Sequence, residues 1–121
     1  MPKTFATAIN CMDGRVQKPV IEYVMTNFGV DYVDMITEPG PNKILAENKD
    51  ANLIGSIKKR LEISVKKHGS KVIVIAAHND CAGNPVDEAA QKRHLKQAAE
   101  TVASWGLPVD KIVTFFVSCR P

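Results

Sequence analysis

KVIVIAAH, residues 71–78, is the stretch on which the fold turns. Lys71 to Ala77 is an almost unbroken apolar run, with Gly69 shortly before it and His78 just after. A strand with one wet face alternates apolar and polar residues, whereas a continuous run belongs to a strand covered on both faces. The run therefore predicts a central strand with helices packed above and below it.

The flanking sequence supplies those helices and the other strands. Phe5 to Asn10 (FATAIN) reads as a buried first strand. Pro19 suits the first turn of a helix in which Val20, Ile21, Val24 and Phe28 recur near the helical period, and Gly29 ends it. Val30 to Thr37 alternates as a second strand, Val33 and Met35 facing one way and Tyr32 and Asp34 the other. EPGPNK is a stiff turn, and Glu38 to Ala51 reads as the one long loop. Asp50 caps a helix that runs to Lys67, with Leu53, Ile57, Leu61 and Val65 in one stripe and Ile54 widening it. Asn84 is expected to cap a further helix, with Pro85 at its first position and Asp87 at its third. That helix carries Ala90, His94 or Leu95, Ala98 and Val102, and stops at Gly106 and Pro108; Lys111 to Val117 (KIVTFFV) is the last strand. The alternation predicts an α/β fold: one domain over residues 1–121, three-layered, with a mostly parallel four-stranded sheet and helices on both faces.

Composition narrows the function classes. A hydrophobic share of 45% and a charged share of 24% suit a chain that folds and exclude a disordered one. The net charge of +3 is a mild excess. Its densest basic group, Lys58, Lys59 and Arg60 followed by Lys66, Lys67 and His68, reads as the solvated face of the long helix, so no nucleic-acid partner is expected. No apolar run approaches the roughly 20 residues that span a bilayer, so no membrane association is expected. MPKTFATAIN is too short and polar for a signal peptide, and three cysteines make no disulfide framework, so the expected location is cytoplasmic. The open edges of such a small sheet point to a homodimer or higher homo-oligomer.

Chemistry concentrates in two places, CMDGR at residues 11–15 and HNDC at residues 78–81. Both stand where a parallel strand gives way to a loop, at the carboxyl edge along which doubly wound domains bind ligands. If the first and third strands are neighbours, about 4.8 Å apart, Cys11 faces His78, and Cys81 curls back to join them. Two thiolates and an imidazole suit zinc, and three protein ligands leave a fourth tetrahedral position. The expected ligands are Cys11, His78 and Cys81. Asp13 has two readings: a fourth ligand that closes the tetrahedron, or a carboxylate paired with Arg15 that orients a metal-bound hydroxide. The plain alternative makes Cys11 a small buried hydrophobe and His78 a satisfied core histidine.

Residues outside these motifs carry structural expectations. Ser118, Cys119 and Arg120 approach the pocket rim if the last strand lies beside the third, with Cys119 not expected to be a ligand. His68 favours the helix dipole and caps carbonyls. His94 lies on a wet charged face, Asn79 and Asp80 shape the turn of the second motif, with Asp80 able to buttress a ligand, and Trp105 packs beside a helix end.

CMDGRV at 11–16 followed by HNDCAG at 78–83 resembles the beta-class carbonic anhydrase family, whose pattern is Cys-x-Asp-x-Arg after the first strand and His-x-x-Cys after a later one. SIKKRLEISVKKHGSKVIVIAAH leads into the second motif in the family's manner, and the resemblance covers about residues 3 to 83. It implies zinc held by Cys11, His78 and Cys81, with Asp13 and Arg15 as the gating and orienting pair. The implied activity is reversible hydration of carbon dioxide, a small-molecule substrate, to bicarbonate by a metal-bound hydroxide. Carbonyl sulfide hydrolases share that centre, so hydrolysis of such an electrophile is the alternative, together with a non-catalytic zinc-stabilised domain. The chain departs from the family pattern at Gly14, where serine is usual, and at Ala82 and Gly83, where glycine usually follows the cysteine directly. It also reads TEPGPNKILAEN where an Arg-Asn-Ala-Gly stretch is common, and its first strand begins near the N-terminus, as in a small member without the family's N-terminal arm.

Overall fold

The computed structural model describes residues 2–119. Strands β1 (Phe5–Cys11), β2 (Tyr32–Glu38), β3 (Val72–His78) and β4 (Lys111–Val117) form one sheet in the order β2-β1-β3-β4. Every neighbouring pair is parallel, so the sheet expected to be mostly parallel is wholly so. Helices α1 (Gln17–Phe28), α2 (Pro41–Glu47), α3 (Ala51–Lys67) and α4 (Glu88–Ala103) cover it.

The strands bury both faces because their side chains alternate into two cores. Ile9, Ile73 and Ile75 turn to one face and pack with Leu45 of α2, Ile57, Leu61 and Val65 of α3, and Leu95, Ala98 and Val102 of α4. Ala6, Ala8, Val74 and Ala76 turn to the other face, where Val20 and Val24 of α1 meet them. The central strand is buried from Ile73 through His78, as its unbroken apolar run predicts. Three helices thus share one face and α1 has the other. No helix among the described residues is long and apolar enough to cross a membrane.

Local chemistry sets most element ends where the sequence places them. Gly29 takes a left-handed φ of 63° and its N–H returns to Met25 O at 3.0 Å, closing α1. Asp50 accepts from Leu53 N at 3.1 Å and starts α3. The basic face of α3 is solvated and locally paired: Lys66 meets Glu62 at 3.4 Å, Arg60 pairs with Glu38, and Lys58 lies 5.8 Å from the ring centre of Trp105.

Four expectations need correction. The long loop between Glu38 and Ala51 contains α2, whose start is made by Gly40 in the left-handed region and Pro41 in the first turn. Seven residues are too few to show a helical period in the sequence. Asn84 does not cap α4; Asp87 does, accepting from Ala90 N at 2.9 Å, because the Asn84 side chain is engaged in a buried network. In α4 the core positions fall on Gln91 and Leu95 rather than Ala90 and His94, and His94 is half-buried with Asn84 Nδ2 donating to its Nδ1 at 2.9 Å. His68 bonds Asp34 Oδ2 through Nδ1 at 2.6 Å and stacks on Phe5, so its ring serves the sheet edge rather than the carbonyls of α3.

Candidate metal centre

The site begins where β1 and β3 part. Their pairing runs only from Thr7–Ile73 to Ile9–Ile75, so the strands separate before Cys11 and His78. Those two residues end their strands, and the chain leaves toward opposite faces, through α1 after β1 and through α4 after β3. That divergence opens a crevice at the carboxyl edge.

Cys11, His78 and Cys81 converge there. One donor atom from each lies within 4.8 Å of the others, and all three residues are buried. The Cys11 and Cys81 sulfurs are 3.8 Å apart. Two thiolates bound at ~2.3 Å to one tetrahedral zinc ion stand about 3.8 Å apart, so the spacing fits. His78 completes the set through its tautomer. Its Nδ1 is 2.7 Å from Asn79 O, and a carbonyl only accepts, so Nδ1 carries the hydrogen and Nε2 presents a lone pair. That Nε2 is buried with no hydrogen-bond partner, a costly state for a core histidine and a natural one for a ligand. The plain alternative of a satisfied core histidine does not describe it.

Amide side chains hold the backbone around Cys11 and beside His78. Gln17 Nε2 donates to Cys11 O at 2.7 Å and to Asp13 O at 2.8 Å, and Asn10 spans the same turn by accepting from Cys11 N at 2.9 Å and donating to Val16 O at 3.1 Å. Asn79, beside His78, donates to Cys119 O at 3.0 Å and accepts from Cys119 N. Cys81 starts a tight turn, with Asn84 N donating to Cys81 O at 3.2 Å. Burial pushes the Cys81 thiol up from its ordinary range and the Cys11 sulfur adds to that, while the N–H groups of Gly83 and Asn84 pull the other way.

Asp13 stands beside this cluster rather than in it. It caps the short 3₁₀ turn Gly14–Val16, accepting from Arg15 N at 2.9 Å. The Arg15 guanidinium grips both carboxylate oxygens, Nε to Oδ1 at 3.1 Å and Nη2 to Oδ2 at 2.7 Å. The side-chain bond to Arg15, then its backbone N–H, hold the Asp13 carboxyl down at about 2. Arg15 also reaches the second loop, donating to Asp80 O at 3.1 Å and to Asp80 Oδ2 at 3.3 Å. Asp80 takes a left-handed φ of 52° to meet it, a role in shaping the turn that the sequence suggested. A cleft of about 540 Å³ opens here, with Asp13 and Arg15 on one side and Asp80, Cys81, Pro85 and Val86 on the other.

Cys119 reaches the site as the strand order requires. It is buried, with Sγ 3.6 Å from His78 Nδ1, the nitrogen that bonds Asn79 O. That side of the ring cannot share an ion with Cys11 and Cys81 while Nε2 does. Arg120, expected at the same rim, lies outside the described residues.

The family model described as "Putative carbonic anhydrase" matches residues 1–120. The chain belongs to that family. Searches of the curated proteins and of the solved structures return no match. Membership of a carbonic anhydrase family and a buried Cys-His-Cys cluster agree in pointing to a metal-dependent lyase-type enzyme. Sequence reasoning missed Asn10, Gln17, Asn42 and Gln91. Only Gln91 left a signal, as a polar residue one turn before Leu95 in the apolar stripe of α4.

Proposed function

We propose that this is a beta-class carbonic anhydrase that hydrates carbon dioxide reversibly to bicarbonate, with zinc held by Cys11, His78 and Cys81. The observation that carries the reading is the pair of buried sulfurs 3.8 Å apart beside an unpartnered His78 Nε2. Zinc held there would supply Lewis acidity, lowering the pKa of water to about 7.

The chain's own groups then do the orienting. Asp13, ionised and gripped at both oxygens by Arg15, is an acceptor with lone pairs to spare. It takes the O–H of the attacking oxygen and leaves that oxygen's free lone pair for the carbon of carbon dioxide. Arg15 fixes the direction of Asp13 and ties the first ligand loop to the second through Asp80. Its positive charge at the cleft favours the bicarbonate anion as it forms. One water and one carbon dioxide give bicarbonate and a proton, which passes to solvent through the open cleft. In this reading Asp13 is an orienting group and not a fourth ligand. The same reading takes residues 1–121 as one zinc domain acting in the cytoplasm as a homodimer or higher homo-oligomer, supported by the edge strands β2 and β4.

The test is stopped-flow hydration of carbon dioxide with an indicator dye, on zinc-loaded protein across neutral and alkaline pH. A rate above buffer that Asp13→Asn lowers by about 100-fold or more supports the proposal. A zinc-loaded protein with only the buffer rate at every pH refutes it, and turnover of carbonyl sulfide by the same sample assigns the centre to that substrate instead.

A further inference from the structure

The apolar stripe of α4 has one residue out of character. Leu95, Ala98 and Val102 lie in the core, and one turn before Leu95 stands Gln91, with 0% of its surface exposed. A buried amide costs free energy unless its donors and acceptors are met, so a glutamine among aliphatic side chains needs a reason. Its bonds supply one. Gln91 Nε2 donates to Asn84 O at 2.7 Å. Gln91 Oε1 accepts from Asn42 Nδ2 of α2 at 2.8 Å and from Asn84 Nδ2 at 3.3 Å. Asn84 closes the turn that Cys81 opens, and the N–H groups of Gly83 and Asn84 face the Cys81 sulfur.

We propose that Gln91 is a positioning residue for Cys81: by gripping Asn84 O it holds the Cys81–Asn84 turn, and hence the Cys81 sulfur, at the spacing from Cys11 that a metal ion requires. The proposal rests on the reading of Cys11, His78 and Cys81 as metal ligands and extends the site to α2 and α4. Gln91 touches neither the metal position nor the cleft. It acts through Asn84, while Asn42 orients it from α2 and fixes which end of its amide donates. An apolar residue at this place would fill the core as well but leave the turn free to drift.

The test is zinc affinity, measured by competition with a chromophoric chelator, for wild type, Gln91→Met, Asn42→Ala and Gln97→Met. Methionine resembles glutamine in length and keeps the core filled but has no donor. Gln97 is exposed on the same helix and serves as the control. Gln91→Met is expected to bind zinc about 10- to 100-fold more weakly, and its cobalt(II)-substituted form to show a changed absorption spectrum, since that spectrum follows ligand geometry. Gln97→Met is expected to match wild type in both. Asn42→Ala leaves the bond to Asn84 O but loosens Gln91, so a smaller loss is expected; this variant carries the test if Gln91→Met does not fold. Unchanged affinity and an unchanged cobalt spectrum in a folded Gln91→Met overturn the proposal. Weaker binding with an unchanged spectrum, matched by an equal loss of metal-free stability, overturns it too, because core packing then explains the effect. A wild-type protein that binds no zinc removes the ligand reading and this proposal with it. Failure to hydrate carbon dioxide bears on the activity alone and leaves the affinity ratio as the arbiter.

Discussion

Replacing Gly83 by alanine should damage both the fold and the metal site, and the size of the effect can be worked from the contact. Gly83 is not in the left-handed region, so alanine meets no backbone penalty. The obstacle is space. A β-carbon there would stand 2.5 Å from the Pro39 carbonyl carbon, 2.6 Å from its oxygen and 2.9 Å from Gly40 N. Carbon atoms settle about 3.5–4.0 Å apart, so the turn after Cys81 and the turn before α2 must separate by roughly 1 Å. The obstructing atoms are backbone and cannot rotate aside, which puts the cost in the upper part of the usual overpacking range, about 2–3 kcal/mol. Domains of this size lose roughly 3–5 °C of Tm per kcal/mol, so a fall of about 6–15 °C is expected in a thermal melt followed by circular dichroism. Zinc affinity should fall as well, since the displaced turn carries Cys81. Gly14→Ala is the matched control: nothing lies within 4 Å of the added carbon, and its Tm should stay within about 2 °C of wild type. A Gly83→Ala protein that melts with Gly14→Ala and binds zinc normally would refute the reasoning.

The remaining predictions concern the ligands and the acid pair. Cys11→Ser should lose zinc, read as metal content after dialysis; full retention would remove Cys11 from the ligand set. Asp13→Asn should keep zinc and lower kcat by about 100-fold or more, whereas normal turnover would show that the carboxylate orients nothing. Because Arg15 depresses the Asp13 carboxyl from 3.8 to about 2, the contribution of its ionised form is complete above pH 3.8 and is lost only as pH falls through about 2. A loss of activity between pH 8 and 5 therefore belongs to another group, and its midpoint should be the same in Asp13→Asn. Burial raises the Cys81 thiol, so at neutral pH zinc must displace its proton. Calorimetry in two buffers of different ionisation enthalpy should show proton release on binding, and that thiol alone should weaken apparent affinity about tenfold per pH unit lost.

Strand content was the most legible part of the chain, because β3 needs apolar residues on both faces and the others are short apolar or alternating runs between turn residues. The convergence of Cys11, His78 and Cys81 was legible for a related reason. A parallel sheet sends its strand ends to one edge, so two motifs that follow strands had to share that edge, and only the adjacency of β1 and β3 remained to be seen. What stayed hidden depends on tertiary partners. α2 is too short for a period and exists because Gly40 and Pro41 start it and Ile44 and Leu45 pack against the core. Asn84 looks like a cap in sequence, since asparagine before proline so often is one, but Gln91 and His94 claim its side chain. His68 looked like a partner for helix carbonyls until Asp34, distant in sequence, proved to face it.

The choice of residue type around the cluster has a common physical cause. Gln17 holds the carbonyls of Cys11 and Asp13, Asn79 beside His78 clamps the backbone of Cys119, Gln91 holds the Asn84 carbonyl in the turn that Cys81 opens, and Asn10 spans the turn after Cys11. An amide offers both a donor and an acceptor from one planar group, so one side chain can close a turn against an N–H and a C=O together. Asn79 does this to Cys119, and Asn10 does it across the turn from Cys11 to Val16. A carboxylate or an ammonium could make only half of the Asn79 or the Asn10 clamp. It would also bring a charge into a buried region where an unpaired ion is costly and where it would shift the ionisation of nearby thiols. Neutral clamps leave the electrostatics of the cluster to the two sulfurs and to the Asp13–Arg15 pair, which lines the cleft. In the proposed function the charged groups do the orienting, and the uncharged ones keep Cys11, His78 and Cys81 in place without competing for a metal.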